Sequence, residues 1–183
     1  MSIASDSARW NAALAMTLAS FLIAFPLDAQ TASFLDYQTT VPSSWTSRAP
    51  SSSSRLAEYV VPAANGVPGA EVVVYFFGAR MGGNVEANLT RWRDQFTNGE
   101  SKATFERVTH DSTGAFPITF AEFHGAYRRG IGAGSADSVR AGQALIAAIA
   151  ETPRGTLFIQ LFGAEARVVA EREIFRKFVI GLK

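Results

Sequence analysis

The clearest periodic pattern in the chain is an apolar stripe with helical spacing that follows a pair of glycines. The stripe consists of Val85, Leu89, Trp92 and Phe96. Residues with this spacing lie on one face of an α-helix. Asn84 directly precedes the stripe and is a preferred N-cap residue. The pattern therefore predicts an amphipathic helix that buries this stripe, exposes Arg91 and Asp94, and ends at Asn98 and Gly99.

Runs of β-branched and aromatic residues alternate with turn sequences on both sides of this helix. The predicted strands cover residues 34–41, 56–61, 71–77, 104–109, 118–128 and 156–162. Asn65-Gly66 and residues 111–114 have the composition of turns between strands. The serine-rich residues 48–54 are interpreted as an exposed turn within the domain.

The alanine-rich residues 145–150 have no decisive periodicity, because alanine favours helices. The compact turn at residues 152–155 joins them to the β-rich run that follows, so we interpret them as one strand of a hairpin. From Ala164 the chain is predicted to be helical to its end, with an apolar stripe facing the core. The order of elements predicts an α+β domain, in which an antiparallel sheet carries the amphipathic central helix and a C-terminal helix.

The first 29 residues have the pattern of a secretory signal peptide. Arg9 precedes an apolar run over residues 12–25, which Pro26 interrupts, and Ala29 supplies a small residue before Gln30. The run of about 14 residues is shorter than the roughly 20 that a membrane-spanning helix needs. We therefore predict cleavage after Ala29, export to the periplasm or the medium, and a single mature domain over residues 30–183. An uncleaved membrane anchor is the main alternative.

Composition and charge exclude several kinds of chemistry. The chain has 183 residues, of which 48% are hydrophobic, with 17 basic and 16 acidic side chains and no cysteine. This balance lacks the basic excess that binding to a phosphate backbone requires, so nucleic acid is not expected as a partner. The absence of cysteine excludes disulfides, thiol nucleophiles and thiolate metal ligands. We expect no cofactor.

The order of predicted elements resembles the PsbP-like fold, which is shared with a Ran-binding import factor. An opening strand leads into a Pro-x-x-Trp step at Pro42 and Trp45, followed by hairpins, one amphipathic helix, further hairpins and a C-terminal helix. The segments at residues 82–88 and 151–153 look like those of a bacterial group of exported proteins without an assigned activity. The resemblance implies a fold and a location, and members of the wider fold are mostly accessory or partner-binding proteins.

A glycine-rich segment is one candidate binding site. The candidate ligand-binding residues here are Arg128, Arg129, Gly130, Gly132 and Gly134. Glycine-rich loops can cradle a phosphate where a helix begins directly after them. The segment fails the dinucleotide-binding pattern, because Ser135 replaces the third glycine and no acidic residue follows at the required spacing. A plain connecting loop is the alternative interpretation, and we favour it.

The two histidines, His110 and His124, are the candidates for enzymatic chemistry. They lie on adjacent predicted strands, with Asp111 and Glu122 near them in sequence. A metal site needs three or four converging ligands, and the register that would bring the imidazoles together is not fixed by the sequence. We expect structural roles for both, and His124 is kept as a further candidate ligand-binding residue. A small hydrolase or metal-dependent enzyme that uses His110 or His124 is the alternative.

Two other features of the sequence suggest a binding surface. Arg80, Arg91 and Arg93 surround the glycine pair and would suit an acidic partner, although solvated charges on a helix are the commoner explanation. Four aromatic residues would line an apolar pocket if one face of the sheet were partly uncovered. These residues are Trp45, Tyr75, Phe76 and Tyr127.

The leading functional prediction is an exported, non-enzymatic accessory or binding domain. Its partner is an unknown protein or small ligand. The prediction rests on the signal-like start, the accessory-protein fold that the resemblance implies, and the lack of converging titratable residues in the sequence pattern. The competing hypotheses are the histidine-dependent enzyme and a structural envelope protein held in the membrane by an uncleaved N-terminal segment.

Overall fold

The computed structural model describes residues 30–97, 105–128 and 139–183. Within these ranges the strands are β1 (Thr31–Phe34), β2 (Tyr37–Thr40), β3 (Thr46–Arg48), β4 (Arg55–Val61), β5 (Ala70–Phe76), β6 (Phe96–Thr97), β7 (Phe105–Asp111), β8 (Ile118–Tyr127), β9 (Arg140–Thr152) and β10 (Gly155–Ala164). The helices are α1 (Val85–Gln95) and α2 (Glu165–Ile180). Among the described helices, none has both the length and the apolar character that crossing a membrane requires.

Eight strands form one antiparallel sheet. Their order is β3-β4-β5-β10-β9-β8, and both β6 and β7 pair with the outer edge of β8, at different ends of that strand. Strands β1 and β2 form a separate hairpin. The α+β prediction of an antiparallel sheet with two helices is confirmed.

Helix α2 and the β1–β2 hairpin cover one face of the sheet. Phe175, Phe178 and Val179 of α2 are buried against this face. The hairpin is tied to the same helix, because the Thr39 hydroxyl donates a hydrogen bond of 2.6 Å to the Phe178 carbonyl. The end of the chain also pairs with it through backbone hydrogen bonds between Lys183 and Gln38. Helix α2, the hairpin and the last residue therefore form one packed layer on this face.

On the opposite face, α1 is the helix among the described elements that packs on the sheet, and it covers part of that face. Leu89 and Trp92 pack with Phe123 of β8, Leu145 of β9 and Phe158 of β10. Helix α1 therefore lies over the β8 side of the sheet. The open-face side chains of β4, β5 and part of β10 lie beside the helix, where they border a groove.

The alanine-rich segment is a strand, as predicted. It forms the middle of β9 and pairs with β10 through the hairpin that begins at Thr152 and Gly155. Ala147 faces the α1 layer and Ala148 faces the α2 layer, and both are fully buried. Small side chains at these positions let both layers approach the sheet closely.

The predicted end of α1 is wrong. Asn84 caps the helix as expected, and its side chain accepts a hydrogen bond from the Ala87 backbone. The helix ends at Gln95, however, and Phe96 begins β6, where it pairs with Tyr127. Backbone pairing to the sheet replaces the last helical turn, while the Phe96 side chain remains fully buried. Asn98 and Gly99 lie outside the described residues.

Candidate functional site

A groove with a volume of about 500 Å³ lies between α1 and the half of the sheet that no described helix covers. Pockets of about 300–1,000 Å³ are typical for small ligands. Another cavity of about 600 Å³ lies between β2 and the end of α2, but its only aromatic residue, Phe178, is buried in the core. The groove beside α1 is the better candidate, since aromatic and charged side chains converge there.

Three cross-strand rows of side chains build the floor of this groove. In the first row, Arg55, Tyr75 and Phe158 stand side by side on β4, β5 and β10. In the second row, Val73 pairs with Gln160, and in the third, Glu71, Phe162 and Leu145 are neighbours. Side chains two residues apart point to the same face of a strand, so this floor follows directly from the strand register.

Aromatic rings are concentrated at the two ends of the floor. At one end, the Tyr75 ring is stacked on Phe77 with 5.9 Å between centroids, and Phe77 in turn contacts Phe158 at 5.7 Å. At the other end, the Tyr127 and Phe162 rings lie 4.5 Å apart. Tyr75, Tyr127 and Phe162 are half-buried, whereas Phe77 is 42% exposed. Burial raises the pKa of the Tyr75 phenol, which is therefore neutral at physiological pH.

Three arginines line the groove from three different elements. Arg55 lies at the start of β4, with its guanidinium 5.3 Å from the centre of the Tyr75 ring. Arg91 lies on α1 and donates a hydrogen bond to the Asn88 side chain. Arg140 lies at the start of β9, paired with Tyr127. Glu71 is the only carboxylate among the described lining residues, and Arg48 binds it at 3.1 Å.

A buried carboxylate next to the groove holds Arg55 in place. Glu58 accepts hydrogen bonds of 2.7 and 2.6 Å from the backbone and hydroxyl of Ser51, and it also binds Arg48 and Arg55. These bonds, first of all those from Ser51, lower the pKa of Glu58 to about 2. The predicted exposed turn at residues 48–54 is thus anchored to the sheet through Glu58.

The glycine pair before α1 sets the position of the helix. Gly82 has a φ of +98°, and a Cβ atom there would lie 2.6 Å from the Phe158 ring. A side chain at this position would therefore be strained and would also collide with the floor of the groove. The Asn88 side chain bonds the Gly82 carbonyl at 2.8 Å, which holds the turn against the helix. These contacts fix the distance between α1 and the sheet.

The glycine-rich candidate site lies almost wholly outside the described residues. Arg129, Gly130, Gly132 and Gly134 all fall in residues 129–138, so their proposed role stays a prediction. Arg128 is described: its side chain is exposed, and its backbone N–H donates to the Gln95 carbonyl at 2.7 Å. Arg128 therefore connects the end of β8 to the end of α1.

His124 lies on the α2 face of the sheet, away from the groove. Its Nε2 atom is 2.7 Å from Glu122 and its Nδ1 atom is 3.0 Å from Glu165. The hydrogen bond with Glu122 is the main reason that the pKa of His124 is raised. Although burial raises it, hydrogen bonds from His124 and Arg172 lower the pKa of Glu122 to about 2. This ionic cluster connects β8 to α2, and a ligand-binding role for His124 stays a prediction.

The two histidines do not come together. His110 of β7 lies opposite Thr119 of β8. His124 is five residues beyond Thr119 on β8, and its partner on β7 is Phe105. Five residues of strand span about 17 Å, and an odd separation places the two side chains on opposite faces. The His110 Nδ1 atom lies 3.1 Å from the Thr119 hydroxyl. Within the described residues, no group of three or more His, Asp or Glu side chains could hold a metal ion.

Only some residues of the predicted aromatic pocket and of the predicted arginine group line the groove. Tyr75 and Tyr127 line the groove, whereas Trp45 and Phe76 belong to the core on the α2 face. In the arginine group, Arg91 lines the groove, Arg93 forms an ion pair with Glu106, and Arg80 lies in a turn.

Arg55, Arg140 and Phe162 were not identified as site residues from the sequence. Alternation along each strand would place Phe158, Gln160 and Phe162 on one face. Only the pairing of β10 with both β5 and β9 brings that face beside Arg55 and Arg140.

Comparisons with known proteins identify the fold. No protein-family model matches the chain, and no curated protein shows significant similarity to it. The solution structure of cyanobacterial PsbP (CyanoP) from Synechocystis sp. PCC 6803 superposes with a TM-score of 0.53 at 12% identity, covering 91% of this chain and 98% of CyanoP. A crystal structure of PA94, a Pseudomonas aeruginosa protein of unknown function, gives a TM-score of 0.49 at 10% identity over 85% of this chain and 96% of PA94.

The chain is an α+β protein with an antiparallel sheet between two unequal helical layers. Its similarity to CyanoP shows that the fold is PsbP-like, as the order of predicted elements indicated. At 12% identity the similarity extends to the fold alone, and the groove must be interpreted from its own residues.

Proposed function

We propose that this protein is an exported, non-enzymatic binding domain and that the groove beside α1 is its binding site. The observation that carries the proposal is that partly exposed aromatic rings of the sheet and three arginines, one of them on α1, line the same groove. Mostly apolar concave surfaces with a few oriented polar groups are typical of small-ligand sites. A concave groove of about 500 Å³ has the size of a small-ligand site, whereas protein partners bind to larger and flatter surfaces.

The exposed rings support a binding role through their energetics. Phe77 is 42% exposed, and the neighbouring Tyr75 and Phe162 are only half-buried. Each Å² of apolar surface removed from water contributes roughly 25 cal/mol, so a ligand that covers the exposed apolar surface of the groove would gain on the order of 2 kcal/mol from it. Strands β5 and β10 are paired on both sides, so the floor needs little reordering on binding.

The state of His124 supports binding over histidine-dependent catalysis. Both ring nitrogens face carboxylates, at 2.7 and 3.0 Å, and an imidazole that donates from both nitrogens carries a positive charge. A protonated imidazole has no lone pair with which to accept a proton, so it does not act as a general base. Its two carboxylate partners come from β8 and α2, and Arg172 of α2 binds Glu122 in turn.

Export is the second part of the proposal, and residues 1–29 carry it. A fusion of residues 1–30 to a reporter that is active only outside the cytoplasm is expected to give reporter activity. N-terminal sequencing of the processed product is expected to begin at Gln30. A product that still begins at Met1 would support the anchored alternative, and activity confined to a cytoplasmic reporter would refute export.

The groove can be tested by a thermal-shift screen of small organic acids, alcohols and amines on the full-length protein. A ligand at 100 times its Kd stabilises the folded state by about 2.7 kcal/mol, which is a measurable shift in Tm. We expect the stabilising compounds to lose their effect on Tyr75→Ala and Phe162→Ala, which remove parts of the floor.

The control for this screen is Val169→Ala, which changes a comparably exposed apolar residue on α2. This variant should respond to the compounds as the wild type does. Stabilisation that survives equally in all variants would place binding elsewhere. The absence of any stabilising compound would count against a small ligand.

A further inference from the structure

The charge distribution of the groove identifies the kind of ligand. On the basis of the proposed binding function, we infer that the ligand is a small organic anion with an aromatic body. Its anionic group binds Arg91 and Arg140, and its aromatic body contacts the partly exposed rings of Tyr75, Phe77 and Phe162.

The anion follows from the balance of arginines and carboxylates. Arg48 and Arg55 lie beside Glu58 and Glu71 and share ion pairs with them. Arg91 and Arg140 have no ion pair with any carboxylate in the described part of the chain. Two cations without a carboxylate partner thus border a groove whose one described carboxylate, Glu71, is paired with Arg48. A carboxylate would provide charge-assisted hydrogen bonds to both, and these are stronger than neutral ones.

The aromatic body follows from the arrangement of the floor. The Tyr75 and Phe77 rings are nearly parallel, with an interplanar angle of 10°, and Phe158 lies next to them. From the Phe158 row to the Phe162 row is four residues along β10, which is about 13 Å. A ligand of two fused rings or similar size fits this length. Flat ligands are favoured, since aromatic groups prefer offset-stacked or edge-to-face contacts with such rings.

The same features disfavour other small ligands. A cationic ligand would be repelled by Arg91 and Arg140, and a neutral aromatic ligand would bury apolar surface but leave both cations without a partner. A small anion without an apolar body would gain the ionic contacts but would leave the rings uncovered. Only a ligand that combines both properties uses the whole site.

Isothermal titration calorimetry of the full-length protein with four matched probes tests this inference. The probes are 2-naphthoate, the neutral 2-naphthalenemethanol, the cationic 2-naphthylmethylammonium, and acetate, which has no aromatic body. We expect 2-naphthoate to bind at least 10-fold more tightly than the alcohol, because a hydrogen bond to a charged group contributes about 1.5 to 3 kcal/mol. The ammonium compound should bind more weakly than the alcohol, and acetate should show no measurable binding.

Two variants locate the anionic group. Arg140→Gln is expected to reduce the affinity for 2-naphthoate at least 10-fold while changing the affinity for the alcohol less than twofold. Arg93→Gln changes an α1 arginine that is paired with Glu106 outside the groove, and it should leave both affinities unchanged.

Each contrary result has a distinct meaning. If the alcohol binds as tightly as 2-naphthoate and both are lost in Phe162→Ala, the anion inference is wrong while the groove remains a binding site. If none of the aromatic probes binds, or if binding persists in Phe162→Ala, the inference fails. In that case, the thermal-shift screen decides separately whether the groove binds anything.

Discussion

Replacing Trp92 with alanine is expected to lower the free energy of unfolding by about 3 to 5 kcal/mol, which is the usual cost of truncating a buried tryptophan. Trp92 is 2% exposed and belongs to the only core cluster in the described residues that joins α1 to the sheet. Its removal leaves a cavity against Phe123 and Phe158 that the rigid strands cannot fill. Urea denaturation of the full-length protein, followed by circular dichroism, measures this loss.

The matched control is Arg93→Ala, on the adjacent residue of the same helix. Arg93 forms an ion pair with Glu106, and about one third of each side chain is exposed to solvent. Ion pairs of this kind contribute about 0 to 1 kcal/mol, so the variant should lose less than about 1 kcal/mol. Equal and small effects at both positions would show that α1 is not packed on the sheet as described.

The stability of α1 and the shape of the groove depend on the same contacts. Trp92 lines the groove and also anchors the helix that carries Arg91 and Gln95. The Gly82 turn places the start of the helix against Phe158. A variant that loosens this packing should therefore weaken ligand binding more than its own contacts explain. The Arg140→Gln variant, which changes a residue outside this core cluster, gives a cleaner measure of binding.

Local patterns were sufficient to predict most elements of the fold. Asn84 and the stripe through Leu89 and Trp92 predicted the start and the buried face of α1, because capping and helical spacing are properties of adjacent residues. The turn at Thr152 and Gly155 identified β9 as a strand against the helical preference of its alanines. In that hairpin, sheet pairing on both sides outweighed intrinsic propensity.

The groove could not be predicted to the same extent. Tyr75 and Tyr127 are more than 50 residues apart in the chain, and they line one cavity because β10 lies between β5 and β9. Sequence periodicity gives the face of each strand, but it does not give the order of strands or the place where a helix crosses them. The partial cover by α1, which leaves the rings exposed, is a property of the assembled sheet.

Strand register also determines how far apart the two histidines lie. His110 and His124 lie on adjacent predicted strands, so the sequence left open whether they could form a ligand pair. The observed register places them on opposite faces, and His124 is held between Glu122 and Glu165. A shift by one residue would have reversed the face of one histidine.

Acidification is expected to destabilise the protein strongly as the pH falls from about 4.5 to about 2. Glu58 and Glu122 are almost fully buried and hydrogen-bonded as carboxylates, and their pKa values are lowered from 4.5 to about 2 in the folded state. A lowered pKa contributes stability that is fully present above the unfolded pKa and is lost as the pH falls through the folded pKa. With 1.36 kcal/mol for each pKa unit, each carboxylate contributes on the order of 3 kcal/mol at neutral pH.

Urea denaturation between pH 7 and pH 2 tests this dependence, with Glu58→Gln as the diagnostic variant. Glutamine keeps the shape of the side chain but cannot carry the charge that Ser51, Arg48 and Arg55 stabilise. The variant should therefore be less stable than the wild type at pH 7, and its stability should fall less steeply below pH 4.5. The two proteins should converge as the pH falls through about 2, where Glu58 becomes protonated in the wild type as well. Parallel curves over the whole range would show that Glu58 does not titrate with the lowered pKa. They would also contradict the ionic contact by which Glu58 holds Arg55 beside the groove.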